Sequence, residues 1–231
     1  EIKNISEKGY QTVKLKMSNN FEDDRQLMKL IVKEGLQIRL DANSNSNFMQ
    51  FLKLVSSLDK LILNRIEYVE DPFKFKIQQW QQAKAYLNLA VDFEKQNVDW
   101  SKLKGLTLKE RPFSHLILKP AREDVDKTIH QAVEHGIKVT ITSSMDHFVG
   151  ALHALSLAAS LKAQYGELIQ DPGCLTFNLY NPEPFSQAVI NDGPQLFLNE
   201  ESKGYGIGFD RLFSAQPWVP LHSGNSALSK L

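Results

Sequence analysis

GLQIRLDANSNSNFMQFLKLVSSLDKLILNRIEYVED, residues 35–71, holds one full period of the pattern that decides the fold. A strand-length apolar run closes on Asp41, a longer stretch with apolar residues at helical spacing follows, and a second run closes on Glu70. Short aliphatic and β-branched runs read as strands, and apolar positions at i, i+3 and i+4 read as one face of a helix. A strand, a helical crossover and another strand form a parallel unit.

The unit repeats in both directions. "TVKLKM" (12–17) precedes "FEDDRQLMKLIVKE", and "IEYVED" (66–71) precedes "FKIQQWQQAKAYL". "NLAVDFE" (88–94) leads into a partly helical segment, "SHLILKP" (114–120) precedes "REDVDKTIHQAVEHG", and "IKVTITSS" (137–144) precedes "FVGALHALSLAASLKAQYG". A polar residue ends each strand, in the series Lys16, Asp41, Glu70, Asp92, Lys119 and Ser143. Six even units predict an α/β fold, a (β/α) TIM-type barrel. An open doubly wound sheet would offer a crevice at one switch point only, whereas functional groups at every strand end suit a barrel mouth. "CLTFNL" (174–179) is predicted as a closing strand, and "GPQLFLNEESKGYGIGFD" (193–210) as a returning hairpin with a glycine-rich turn. Residues 1–213 are assigned to the barrel and 214–231 to a C-terminal tail.

Composition narrows the class of ligand. Lys+Arg and Asp+Glu each total 27, so the formal net charge is zero. With no basic field to hold nucleic acid or an anionic membrane, a small-molecule carboxylate is the expected partner; the oligomeric state is left open. Cys174 is the only cysteine, which excludes an intrachain disulfide and a thiolate zinc site and suits a reducing cytoplasm. The opening "EIKNISEKGY" is neither a signal peptide nor an initiator Met, so a fragment is expected. No spacing of the six histidines makes a metal site, and "GYGIGFD" lacks the pattern of a nucleotide loop.

The strand ends carry the chemistry. Asp41, Glu70 and Asp92 end successive strands, which in a barrel sets three carboxylates side by side at the C-terminal rim. Singly, each is a plausible helix cap or loop residue. Together they would repel one another, and Mg²⁺, which takes oxygen ligands and keeps positions for water or substrate, relieves that repulsion. Lys14 and Lys16 share one face of their strand, and Lys119 ends a strand on the opposite side of the barrel. Lysines flanking a metal from two sides suit removal of a proton next to a carboxylate. A K-x-K taken alone is an edge strand with solvated lysines, and a lone Lys119 is a surface residue.

The ordered set "KLK", "LDAN", "VEDP", "VDFE", "LKP" and "TSSMDH" resembles the enolase superfamily in its muconate-lactonizing subgroup, over about residues 9–210. Lysine bases working beside magnesium are an established pattern there. The resemblance implies Asp41, Glu70 and Asp92 as Mg²⁺ ligands, Lys16 as the base, Lys14 as its electrostatic support, and Lys119 as the group stabilising the anion from the other face. Asn43 and Asp71 would border the metal, and Asn43, Ser143 and Ser144 the substrate. The helix start after residue 145 is the plainer role for the two serines. The implied reaction is syn elimination of water from a cyclohexadiene carboxylate to an aromatic product. Racemisation or epimerisation of amino-acid derivatives is the alternative within the family, and a non-catalytic binding barrel the alternative outside it. Two departures stand out. Phe93 separates Asp92 from Glu94, leaving Glu94 as a competing third ligand, and the family's N-terminal capping domain and first barrel strand are absent from this sequence.

Overall fold

Seven short strands lie side by side in chain order: β1 (Thr12–Lys16), β2 (Gln37–Asp41), β3 (Ile66–Glu70), β4 (Leu89–Val91), β5 (His115–Leu118), β6 (Lys138–Thr142) and β7 (Ile169–Gly173). Each pairs in parallel with the next. The structure, a computed structural model, describes residues 1–18, 20–181, 184–186, 189–198 and 208–217. Parallel neighbours joined by right-handed crossovers in strict sequence put every crossover on one face, and a sheet covered on one face curls around the other. Arg39 on β2 donates to the main-chain oxygen of Asp171 on β7 at 2.8 Å, so the two ends of the sheet approach across its interior.

The crossovers are α2 (Phe21–Lys33), α3 (Phe48–Ser57) with α4 (Lys60–Leu63), α5 (Ile77–Lys84), α6 (Val125–Glu134) and α7 (Phe148–Tyr165); α1 (Ile2–Glu7) precedes β1. Their starts follow the chemistry of unsatisfied amides. Asn47 accepts from the Gln50 amide while Gln50 answers the Asn47 amide, and Asp124 accepts from the amide of Lys127. Strand alternation then divides the side chains. Ile38, Leu40, Val69, Leu116 and Val139 join the large core beneath the helices, while Tyr68, Ala90 and Ile117 form a separate small cluster on the other, inner face. The strand-end acids and lysines have the parity of that inner face, since the register sets Lys16 opposite Asp41 and Asp41 opposite Glu70.

Three expectations need correction. "CLTFNL" is not the closing strand: residues Leu175–Leu179 form a 3₁₀ turn, with Cys174 and Phe177 buried at helical spacing and Phe177 edge-on to Phe148 at 5.1 Å. The last strand is the polar, proline-containing "IQDPG" just before it. Such an edge strand carries no apolar alternation to betray it. The hairpin exists one arm earlier than expected, between β8 (Val189–Asp192) and β9 (Gln195–Leu198), turning at Gly193 and Pro194. The glycine-rich turn at 204–207 lies outside the described residues, as does the assigned tail from 218 onward. Finally, β4 stops at Val91 and the chain winds into a 3₁₀ segment, Phe93–Asn97, so Asp92 and Glu94 do not share a strand face. A short helix, α8 (Asp210–Ser214), follows the hairpin, and among the described residues no helix is long and apolar enough to cross a membrane.

Candidate active site

The C-terminal ends of β1 to β5 bring together Lys14, Lys16, Asp41, Glu70, Asp92 and Lys119. Lys14 sits between two acids, 2.9 Å from Asp41 and 2.7 Å from Glu70. Lys119 is paired with Asp92. Glu70 is 2% exposed. Burial pushes its carboxyl well above the usual range, Lys14 draws it back, and the charges of Asp41 and Asp92 push it up again. Burial works against the charge on Lys14, but the fields of Glu70 and Asp41 outweigh it and raise its pKa. With the acids turned onto it, Lys14 keeps its charge. Lys16, at the open end of the same strand face, is exposed, and its side chain makes no hydrogen bond or ion pair with the described residues.

The backbone around the acids is shaped to hold them. Asn43, Ser44, Asp71 and Met145 all have positive φ and all follow strand ends, where non-glycine residues adopt such values at some cost. At Asn43 the turn aims its amide back at the Asp41 carboxylate, 3.2 Å away. At Asp71 it directs the carboxylate onto the amides of Asp92, Phe93 and Glu94, at 3.0, 2.7 and 3.4 Å, which fixes the peptide carrying Asp92. Burial pushes the Asp71 carboxyl up to about 6 against the pull of those amides.

Glu94 is drawn elsewhere. Its carboxylate accepts from Ser44 Oγ, the amide of Phe75 and Asn97 Nδ2, tying three rim loops together, while Asp92 faces Lys119. Ser143 is buried and its hydroxyl pairs with that of Thr176 at 2.6 Å. The amide of Ser144 donates to Asp146, and α7 starts at an N-cap of His147, so neither serine caps it. Sequence reasoning missed Lys95 and Glu123. They form an ion pair at 2.6 Å that links the segments after β4 and β5, and nothing but their nearness to Asp92 and Lys119 in the chain pointed to them.

Three carboxylates without sulfur or imidazole are the donor set of a hard divalent cation. Burial first, and then the charges of Asp41 and Asp92, push the Glu70 carboxyl up against the pull of Lys14, and a cation set among the three acids would favour their charged forms. The residues therefore fit Mg²⁺. As they stand the acids are turned onto ammonium groups, and among the described residues no three are gathered in ligand geometry.

This curled parallel sheet, wrapped by its crossover helices, has the (β/α) barrel fold. The fold superposes on the L-Ala-D/L-Glu epimerase of Bacillus subtilis with a TM-score of 0.71, at 18% identity, over 90% of this chain and 57% of that one. Among curated proteins, the chain is 36% identical over 217 residues to the o-succinylbenzoate synthase of Bdellovibrio bacteriovorus, covering 94% of this chain and 63% of the relative. It is 24% identical over 216 residues to an L-Ala-D/L-Glu epimerase of Francisella tularensis, covering 90% and 58%. The chain thus spans about three fifths of the length of the curated relatives it matches. No protein-family model matches it.

Proposed function

We propose that the protein is an o-succinylbenzoate synthase, a Mg²⁺-dependent hydro-lyase of the cytoplasm that converts 2-succinyl-6-hydroxy-2,4-cyclohexadiene-1-carboxylate by syn elimination of water, a step of menaquinone biosynthesis. The observation that carries this reading is the 36% identity to a synthase of that name over nearly the whole chain, with acids and lysines standing together at one rim. Asp41, Glu70 and Asp92 would hold Mg²⁺, which when bound supplies charge stabilisation to a substrate carboxylate.

The chain's own groups do the rest. Lys16, unengaged and open to the mouth, takes the proton next to the carboxylate and returns it to the departing hydroxyl on the same face. Lys14, held charged between two acids, keeps that strand end positive. Lys119 faces the anion left on the substrate once Asp92 turns to its other task. Asn43 holds Asp41 in place through its amide, and Ser143 and Ser144 border the far end of the substrate, next to the start of α7.

The test is conversion of the cyclohexadiene carboxylate by the full-length protein with and without Mg²⁺, followed by loss of diene absorbance. Lys16→Ala should lower turnover by roughly 10³-fold, the scale of a lost general base, with an unchanged circular dichroism spectrum. Full activity in that variant would overturn the mechanism. Absence of turnover in the folded, metal-loaded wild type would favour the epimerase reading supported by the second relative, tested by exchange of dipeptide α-protons.

A further inference from the structure

We propose that Lys95 and Glu123, which lie outside the reacting cluster, act as a positioning pair that holds the main chain carrying Lys119 in place beside the segment carrying Asp92. Lys95 sits three residues after Asp92, and its amide donates to the Asp92 carbonyl at 3.2 Å. Its ammonium crosses to the next strand, donating to the carbonyl of Ile117 and to both oxygens of Glu123 at 2.7 and 2.6 Å. Glu123 in turn accepts the main-chain amide of Lys119 at 2.7 Å, and the Thr128 hydroxyl at 3.4 Å. Lys119 closes the circuit by its own ion pair with Asp92.

Four links thus form a ring: Asp92 carbonyl to Lys95, Lys95 to Glu123, Glu123 to the Lys119 amide, Lys119 to the Asp92 carboxylate. An exposed ion pair between loops contributes little and attaches anywhere along them. This pair is sheltered, with side chains 18% and 19% exposed, and its side chains grip the main chain at Ile117 and at the rim residue Lys119, while the Lys95 amide ties its own backbone to Asp92. Both partners are also specific in kind. The carboxylate must receive an ammonium and a peptide amide at once, and the ammonium must span from one strand end to the next.

Three variants test it: Glu123→Gln, Lys95→Met, and the two together. Glutamine keeps an oxygen for the Lys119 amide but gives up the charge that orders Lys95. In the assay above, whose use rests on the proposed function, kcat should fall between tenfold and a hundredfold in each single variant, the cost of a misplaced group. KM should change less than threefold, and the double variant should lose little more than either single one. A second readout needs neither metal nor substrate. The rate of Lys119 acetylation by acetic anhydride, followed by mass spectrometry in metal-free protein, should rise at least threefold once the ring is opened. If the variants fold as wild type and both kcat and the Lys119 labelling rate stay unchanged, the pair is only a loop staple and the proposal falls. If the wild type has no turnover at all, the synthase reading fails, and the labelling rate alone decides the role of the pair: a rise supports it and an unchanged rate overturns it.

Discussion

His115 shows how much a single buried side chain can impose. It lies on the inner face of β5, 6% exposed, with its ring 5.0 Å from that of Tyr68 and its Nδ1 2.9 Å from the Ser114 hydroxyl. Burial first, and then the charges of Lys138 and Arg39, lower its pKa to about 3, so it stays neutral where an unfolded histidine would take a proton. Between the unfolded value of about 6.5 and the folded one, the unfolded chain binds more protons. Stability from this residue is therefore complete above the unfolded value and is lost as the pH falls, by at most about 1.4 kcal/mol per unit. Glu70 and Asp71, raised in the folded state, act in the opposite direction over the same range. The measure is therefore the difference in urea unfolding free energy between wild type and His115→Asn at pH 7, 6 and 5, which should move in wild type's disfavour by that slope as the pH falls. Asp71 is the second test at this scale. Asparagine there keeps one acceptor for three amides, so Asp71→Asn should cost about 1 to 3 kcal/mol in urea unfolding and loosen the segment carrying Asp92. The placing of Asp41, Glu70 and Asp92 at strand ends was legible in the sequence because each ends an apolar run. The direction in which Glu94 points was not, because it depends on β4 stopping at Val91, which no local pattern announces.

At the scale of elements, legibility followed amphipathicity. α2, α3, α5, α6 and α7 fall where apolar spacing puts them, and each of the six expected strands lies within its predicted run. β7 escaped because an edge strand reading "IQDPG" buries only Ile169, and the apolar "CLTFNL" beside it competes for the assignment with a stronger signal. Helix starts give a direct check on this local reasoning. Asn47→Ala removes the side-chain half of a reciprocal cap and should lower stability by about 1 kcal/mol in chemical denaturation, with no change in Mg²⁺ affinity. An equal loss of metal affinity would mean that α3 helps to set the Asp41 turn.

For the whole molecule, the contact between the hairpin and the N-terminal segment is the least expected part of the fold. Gly193 has φ +58, and a Cβ there would lie 2.2 Å from the Lys8 carbonyl, so the β8–β9 turn is pressed against the chain just before β1. Gly193→Ala must both hold a left-handed backbone and push two main-chain segments apart, and should cost about 2 kcal/mol or more. A thermal unfolding midpoint equal to that of wild type would show that the hairpin does not dock there. Neither half of that contact could be read from sequence, since it joins segments nearly the length of the chain apart.

The strict strand order has a consequence for synthesis. Every pairing in the sheet joins a strand to the next one made, so a chain leaving the ribosome can add to the sheet unit by unit. The reacting groups keep a different calendar. Lys119 meets a partner made 27 residues before it, whereas Lys14 waits 56 residues for Glu70 to appear. The first strand thus emerges with a charge that meets one acid, Asp41, on the next strand and its second, Glu70, only a strand later, and a nascent chain halted before Glu70 should hold β1 more loosely than one halted after it.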